Sequence, residues 1–178
     1  MMTLPQAALV AIASFSALAL AAPAAGGQDS PCKAVQVASV DDAAGRSGER
    51  FSAAATTDLT FQVFLDPALA GDHVLELRII TPRSFLYRSI AVPVSLGTVP
   101  AGAAMTERTV AGYPGPQRVR VPAYVKLAKK VMQRIDIAFP LGGTDIVTNS
   151  LYGKWKVEAF LDGGEQRCGP AATFRIVQ

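Results

Sequence analysis

The 178-residue sequence holds one histidine, two cysteines and one tryptophan. Each scarcity excludes something. A lone His73 rules out the zinc sites that combine several His or Cys ligands at set spacings. Within the turn Gly71-Asp72-His73 it reads as an exposed turn residue, with Asp72 or Asp66 the candidate partners for any His-based chemistry. There is no G-x-S-x-G elbow, H-E-x-x-H helix, phosphate-binding loop or G-x-G-x-x-G fingerprint. A net charge of +3 is too small to imply a nucleic-acid partner, and none is expected. No catalytic constellation, metal-ligand set or cofactor signature emerges, so the expectation is a non-enzymatic protein.

The two cysteines, Cys32 and Cys168, are far too separated for a C-x-x-C redox pair. In an exported chain such a pair most simply forms one structural disulfide. Closing so long a loop stabilises by about 4–5 kcal/mol in the chain-entropy picture. Export itself is read from the N-terminus. Thr3 to Ala25 carries no charge, Ala7 to Ala22 is apolar, and Ala22-Pro23-Ala24-Ala25-Gly26 supplies small residues for cleavage. Residues 1–25 are therefore expected to be a signal peptide cut near Ala24 or Ala25, although Met1 to Gln6 lacks the usual Lys or Arg. The alternative is an uncleaved anchor, but an apolar run of about 16 residues is short for a span of roughly 20. Asp29-Ser30-Pro31 before Cys32 is a poor lipoprotein signal. The expected location is secreted or periplasmic, with no transmembrane span in the mature chain. Residues 26–31 form a flexible leader and 32–178 one domain.

What is present is period-two alternation, the mark of half-buried strands. The strongest case is Gly153-Lys154-Trp155-Lys156-Val157-Glu158-Ala159-Phe160-Leu161. Trp155, Val157, Ala159 and Leu161 share one face; Lys154, Lys156 and Glu158 share the other. Asp162-Gly163-Gly164 offers a hairpin turn, and Ala172 to Val177 is the last strand. Further strands are expected at Lys33 to Val40, Leu59 to Leu65, Val74 to Ile80, Tyr87 to Val94, Gln117 to Val121 and Val131 to Phe139. Pro93 places its strand at an edge or bulge. Ser95 to Pro116 reads as the least ordered stretch, with a short strand at Thr106 to Val110. Tyr124 to Met132 is ambiguous. Val125, Ala128, Val131 and Met132 have helical spacing, whereas a strand would be interrupted by Lys129 and Gln133. Seven or eight strands with at most one short helix predict an all-β antiparallel sandwich.

Leu151-Tyr152-Gly153-Lys154-Trp155-Lys156-Val157 resembles the entry to the penultimate strand of immunoglobulin-like and fibronectin-type-III-like domains. There a Leu, a Gly and an aromatic residue sit two apart, ahead of a core residue. Here Trp155 takes the aromatic place, usually a Tyr, and Val157 the core place. Trp has no hydroxyl, but its indole N–H can donate instead. Lack of a Cys at Val157 excludes the usual inter-sheet disulfide of that family. The resemblance implies an immunoglobulin-like sandwich and no particular activity.

The distribution of charge suggests where such a module binds. Arg108, Arg118, Arg120, Lys126, Lys129, Lys130 and Arg134 occur in a stretch free of Asp and Glu. A basic strip on an exported protein suits a protein partner or an anionic glycan or lipid of the envelope. The plainer reading is a solvated strand face whose lysines guard an edge. Other candidates carry less. The acids at Asp41-Asp42 and around Asp162 and Glu165 lie in loops rather than in the fixed opposing geometry of a glycosidase. Asp41, Asp42 and Glu49 cluster oxygens of the kind calcium prefers, but at no recognised loop spacing. Tyr87, Tyr113, Tyr124 and Tyr152 are dispersed as edge or core residues are, rather than as a sugar platform. Trp155 is expected in the core. The alternatives to a binding or accessory module are a secreted hydrolase with an unrecognised site and a structural subunit adding strands to an envelope assembly.

Overall fold

The computed structural model describes residues 30–42, 47–97, 105–110 and 114–178. The expected signal peptide and Tyr113 lie outside these residues. The chain forms β1 (Cys32–Ser39), β2 (Arg50–Ser52), β3 (Asp58–Leu65), β4 (Gly71–Ile80), β5 (Leu86–Leu96), β6 (Met105–Thr109), β7 (Pro116–Arg120), β8 (Ala123–Leu127), β9 (Lys130–Pro140), α1 (Asp145–Thr148), β10 (Gly153–Leu161) and β11 (Ala172–Val177). One sheet has the order β1-β3-β9-β8, the other β2-β11-β10-β4-β5-β7-β6.

The all-β expectation holds, but the strand count and the purely antiparallel pairing do not. Eleven strands occur among the described residues. The larger sheet is mixed: β2 runs parallel to β11, and β5 meets β7 in parallel at Val94 and Arg120. The strands missing from the sequence reading are the short ones. Three residues of β2 are too few to show a period. β8 and β9 merge into one run because no Gly, Asn or Pro marks the turn between them. Tyr124 to Met132 is therefore neither helix nor single strand but a hairpin, with Leu127 paired to Lys130. The only helix among the described residues is the single turn α1, capped by the Thr144 hydroxyl.

Alternation builds the core. Leu59, Phe61, Val63 and Leu65 of β3 are fully buried, as are Leu75, Leu77 and Ile79 of β4 and Trp155 and Val157 of β10. The two sheets share this core: the Phe61 ring stands 5.8 Å from Phe174 of β11, and Tyr87 of β5 lies 6.1 Å from Phe139 of β9. Trp155 sits at the centre, edge-on to Tyr87 at 5.3 Å and stacked near Phe174. Its indole N–H donates to the Leu151 carbonyl at 3.0 Å, the role foreseen for it in place of a tyrosine hydroxyl.

Asp162 and Gly163, both at positive φ, turn the chain after β10. The strand that follows does not begin until Ala172, because the connection detours to carry Cys168 to Cys32. The two cysteines form the expected disulfide, with Cα atoms 5.1 Å apart. Cys32 N–H also donates to the Cys168 carbonyl at 2.8 Å. Gly169 is required here, since a Cβ on it would fall 2.1 Å from the Cys32 carbonyl oxygen. Pro93 lies on a strand whose far side is paired only at Val94. Among the described residues, no helix is long and apolar enough to cross a membrane.

Candidate functional site

The seven basic residues fall into three groups. Lys126, Lys129 and Lys130 surround the tip of the β8–β9 hairpin, and all three are exposed. Leu127 pairs with Lys130, leaving Ala128 and Lys129 as the two turn residues. Their φ values are 47° and 70°. A two-residue hairpin turn of this hand needs positive φ at both positions and normally carries Asn-Gly or Asp-Gly. Because each carries a Cβ, each such residue costs about 1–2 kcal/mol. None of the three lysines joins an ion pair among the described residues. Tyr124 and Val131 stand nearby, 51% and 49% exposed. Among the described residues no strand pairs with the outer edge of β8.

Arg120 and Arg134 form the second group, at Asp136. Arg134 Nε lies 2.9 Å from Asp136 Oδ1, and its Nη2 donates to Oδ2 at 3.0 Å. Arg120 Nη1 donates to the Asp136 carbonyl. The Arg120 guanidinium ties the end of β7 to β9 and so joins the two sheets, whereas the Arg134–Asp136 pair lies within β9. Arg108 and Arg118 form the third group, on the β6–β7 hairpin. Arg118 stands opposite Glu107, whereas Arg108 stands opposite Gln117 and so on the other face. The strip that is continuous in sequence is thus not one continuous surface.

The lysine hairpin is held from inside by Gln133, which is fully buried. Its amide nitrogen donates to the carbonyls of Asp66 (2.9 Å) and Leu69 (2.7 Å), and its Oε1 accepts from Gly97 N–H at 2.8 Å. The Tyr124 hydroxyl donates to the Gly97 carbonyl. The β3–β4 turn, the end of β5 and the hairpin are thereby fastened together. Beside them, the Asp66 carboxyl is held below the usual carboxylate range. The Ala68 N–H at 2.9 Å is the main cause, followed by Lys33 at 2.9 Å, with a smaller contribution from Lys130.

His73 has a partner that sequence proximity did not suggest. Its Nδ1 is 2.8 Å from Asp162 Oδ2, and Nε2 is 3.3 Å from the Ala70 carbonyl oxygen. Asp162 Oδ1 accepts from Val74 N–H at 2.8 Å. Pairing of β4 with β10 brings residues 73 and 162 together, and each ring nitrogen lies near a protein oxygen. Neither Asp72 nor Asp66 is its partner. Asp41 serves as a turn cap, its Oδ2 accepting from Thr57 N–H at 2.9 Å. Tyr87 and Tyr152, both half-buried, pack against the core, and Tyr124 stands out on the hairpin.

No family model matches the chain, and no curated protein matches it significantly, so the reading of this surface rests on its own residues.

Proposed function

We propose that the chain is an exported, immunoglobulin-like sandwich without enzymatic activity, a binding or accessory module that takes a protein or anionic envelope component on its lysine hairpin. The observation that carries the reading is the turn itself. Lys129 occupies a positive-φ position where Gly is the less strained residue, and Ala128 precedes it in the same region. Local strain of this kind persists where a side chain is needed at that place. Three exposed lysines beside Tyr124 and Val131 give cationic charge with apolar area, a combination that steers and then holds an acidic partner. Clustering of Lys126, Lys129 and Lys130 favours this surface over the arginine groups: Arg120 and Arg134 are engaged with Asp136, Arg118 stands opposite Glu107, and Arg108 is, among the described residues, alone on its face of the hairpin.

Installing the relaxed turn separates function from stability. Ala128→Asn/Lys129→Gly is expected to raise stability by about 1 kcal/mol. The same variant is expected to weaken binding to a labelled acidic polypeptide, poly-L-glutamate, and to reduce cross-linking to envelope extract. Lys126→Glu/Lys130→Glu should abolish both. Undiminished binding by both variants, at low and at physiological salt, refutes the assignment. The outer edge of β8, unpaired among the described residues, also supports a second reading, in which an assembly partner adds a strand there.

A further inference from the structure

The outer face of the larger sheet carries charge that sequence order hides. Lys154 on β10 stands opposite Arg175 on β11, and Arg175 stands opposite Arg50 on β2. Opposed residues share a face. Trp155, Phe174 and Phe51, their neighbours in sequence, are buried toward the core, so the three cations form one lateral row on the outside, all exposed. With strands about 4.8 Å apart the row is roughly 10 Å long. Like charges set directly opposite one another destabilise a strand pair. Among the described residues none of the three has an ion-pair partner. Glu158, the carboxylate on that face of β10, is taken by Lys156 at 3.1 Å and Arg167 at 3.6 Å. A sheet that keeps an unopposed cationic row is arranged for an anion from outside.

The row ends beside an apolar projection. Lys156 is level with Ile80, the last residue of β4, so Lys154 lies level with Pro82. Gly153 presses on that proline so closely that a Cβ would come within 2.9 Å of it. The turn from β4 to β5 is fixed: Ser84 N–H donates to the Thr81 carbonyl, Thr81 N–H to the Phe85 carbonyl, both at 2.9 Å, and Phe85 N–H to the Thr81 hydroxyl at 3.1 Å. From this rigid base project Phe85, 68% exposed, and Leu86, 59% exposed. No large apolar side chain among the described residues is more exposed. Arg83 and Arg88 flank the pair; both are exposed and neither is ion-paired among the described residues. Tyr87, between them, turns inward onto Trp155.

We propose that this end of the larger sheet docks on an anionic lipid bilayer. Arg50, Lys154 and Arg175, with Arg83, take headgroup phosphates, and Phe85 and Leu86 enter the interface. Charge complementarity alone would suit any polyanion. The adjacent apolar pair singles out a lipid surface, where headgroup charge overlies hydrocarbon. This site is independent of the lysine hairpin. That hairpin lies at the opposite end of the strands, near Leu65 and Gly71, and the ten residues of β4 separate the two ends by about 30 Å.

The test is co-sedimentation of the disulfide-bonded protein with phosphatidylcholine vesicles, with and without roughly one anionic phosphatidylglycerol in three lipids. The wild type is expected to sediment with the anionic vesicles only. Arg50→Glu/Lys154→Glu/Arg175→Glu should weaken binding by roughly two orders of magnitude, at about fivefold per cation near the surface. Phe85→Ser/Leu86→Ser should weaken it by about tenfold or more. Unaltered binding by the triple variant overturns the proposal. So does a loss confined to the triple variant with Phe85→Ser/Leu86→Ser unaffected, which would assign the row to a soluble polyanion. Loss with Lys126→Glu/Lys130→Glu while the triple variant binds as wild type assigns the binding to the hairpin and overturns it as well. If the triple variant does not fold, Arg175→Thr serves: relieved of like-charge contact, it should melt no lower than wild type and still bind about fivefold more weakly.

Discussion

Replacing Gln133 with Leu tests the internal fastening most directly. The substitution nearly conserves volume but strips away three hydrogen bonds at a position with no solvent exposure. Gly97 N–H and the carbonyls of Asp66 and Leu69 lose their partner together. A buried backbone group left unsatisfied costs about 1–3 kcal/mol. Part of the two turns can rehydrate, so the sum expected is about 3–6 kcal/mol, a large share of a domain's roughly 5–15 kcal/mol. Gln133→Glu sharpens the argument. An ionised carboxylate would face two carbonyl oxygens, whereas a protonated one can still donate to one of them. The Glu variant should therefore be the less stable at pH 7 and regain stability as pH falls and its buried carboxyl takes up a proton. Urea unfolding followed by far-ultraviolet circular dichroism at pH 7 and pH 5 measures both effects. A Leu variant within 1 kcal/mol of wild type (about the value of one ordinary hydrogen bond), or a Glu variant indifferent to pH, would refute the reasoning.

Two further outcomes follow from the core and the outer sheet face. Trp155→Ala should cost roughly 3–5 kcal/mol, lowering the melting temperature by about 9–15 °C for a domain of this size, and wild-type Trp fluorescence should resist acrylamide quenching; ready quenching would contradict its burial. Glu76 accepts from Arg78 Nε at 2.9 Å and from the Ser89 hydroxyl at 2.7 Å, and these bonds, Arg78 first, hold its carboxyl below the ordinary value. A carboxyl lowered in the folded state contributes stability above the unfolded value, near pH 4, and loses it as pH falls through the folded one. The stability gap between wild type and Glu76→Gln should thus narrow from pH 7 to pH 3, and a constant gap would count against the pairing.

Several elements were legible in the sequence because one physical signal dominated each. Leu59 to Leu65 and Trp155 to Leu161 alternate so strictly that only a strand with one buried face accounts for them. The Cys32–Cys168 bond follows from two cysteines in a chain read as exported. What could not be read depends on pairing. Residues 50, 154 and 175 become neighbours only through strand order, and His73 meets Asp162 only because β4 lies beside β10. The β8–β9 turn was obscured for a different reason: it lacks the residues that normally mark such turns, and Ala128 and Lys129 adopt the conformation nonetheless. The basic stretch from Arg108 to Arg134 looked like one feature because the residues are close in sequence. The change of sheet between Arg120 and Ala123 divides it.

The Cys32–Cys168 bond also determines how the domain bears tension. Among the described residues ten of the eleven strands lie between the two cysteines, and β11 alone lies outside them. A pull applied ahead of residue 32 and at the end of β11 is shunted through the sulfur bridge and bypasses that whole segment. Among the described strands only β11 can be peeled away under traction while the bridge is intact, and the other ten are released only by a reductant.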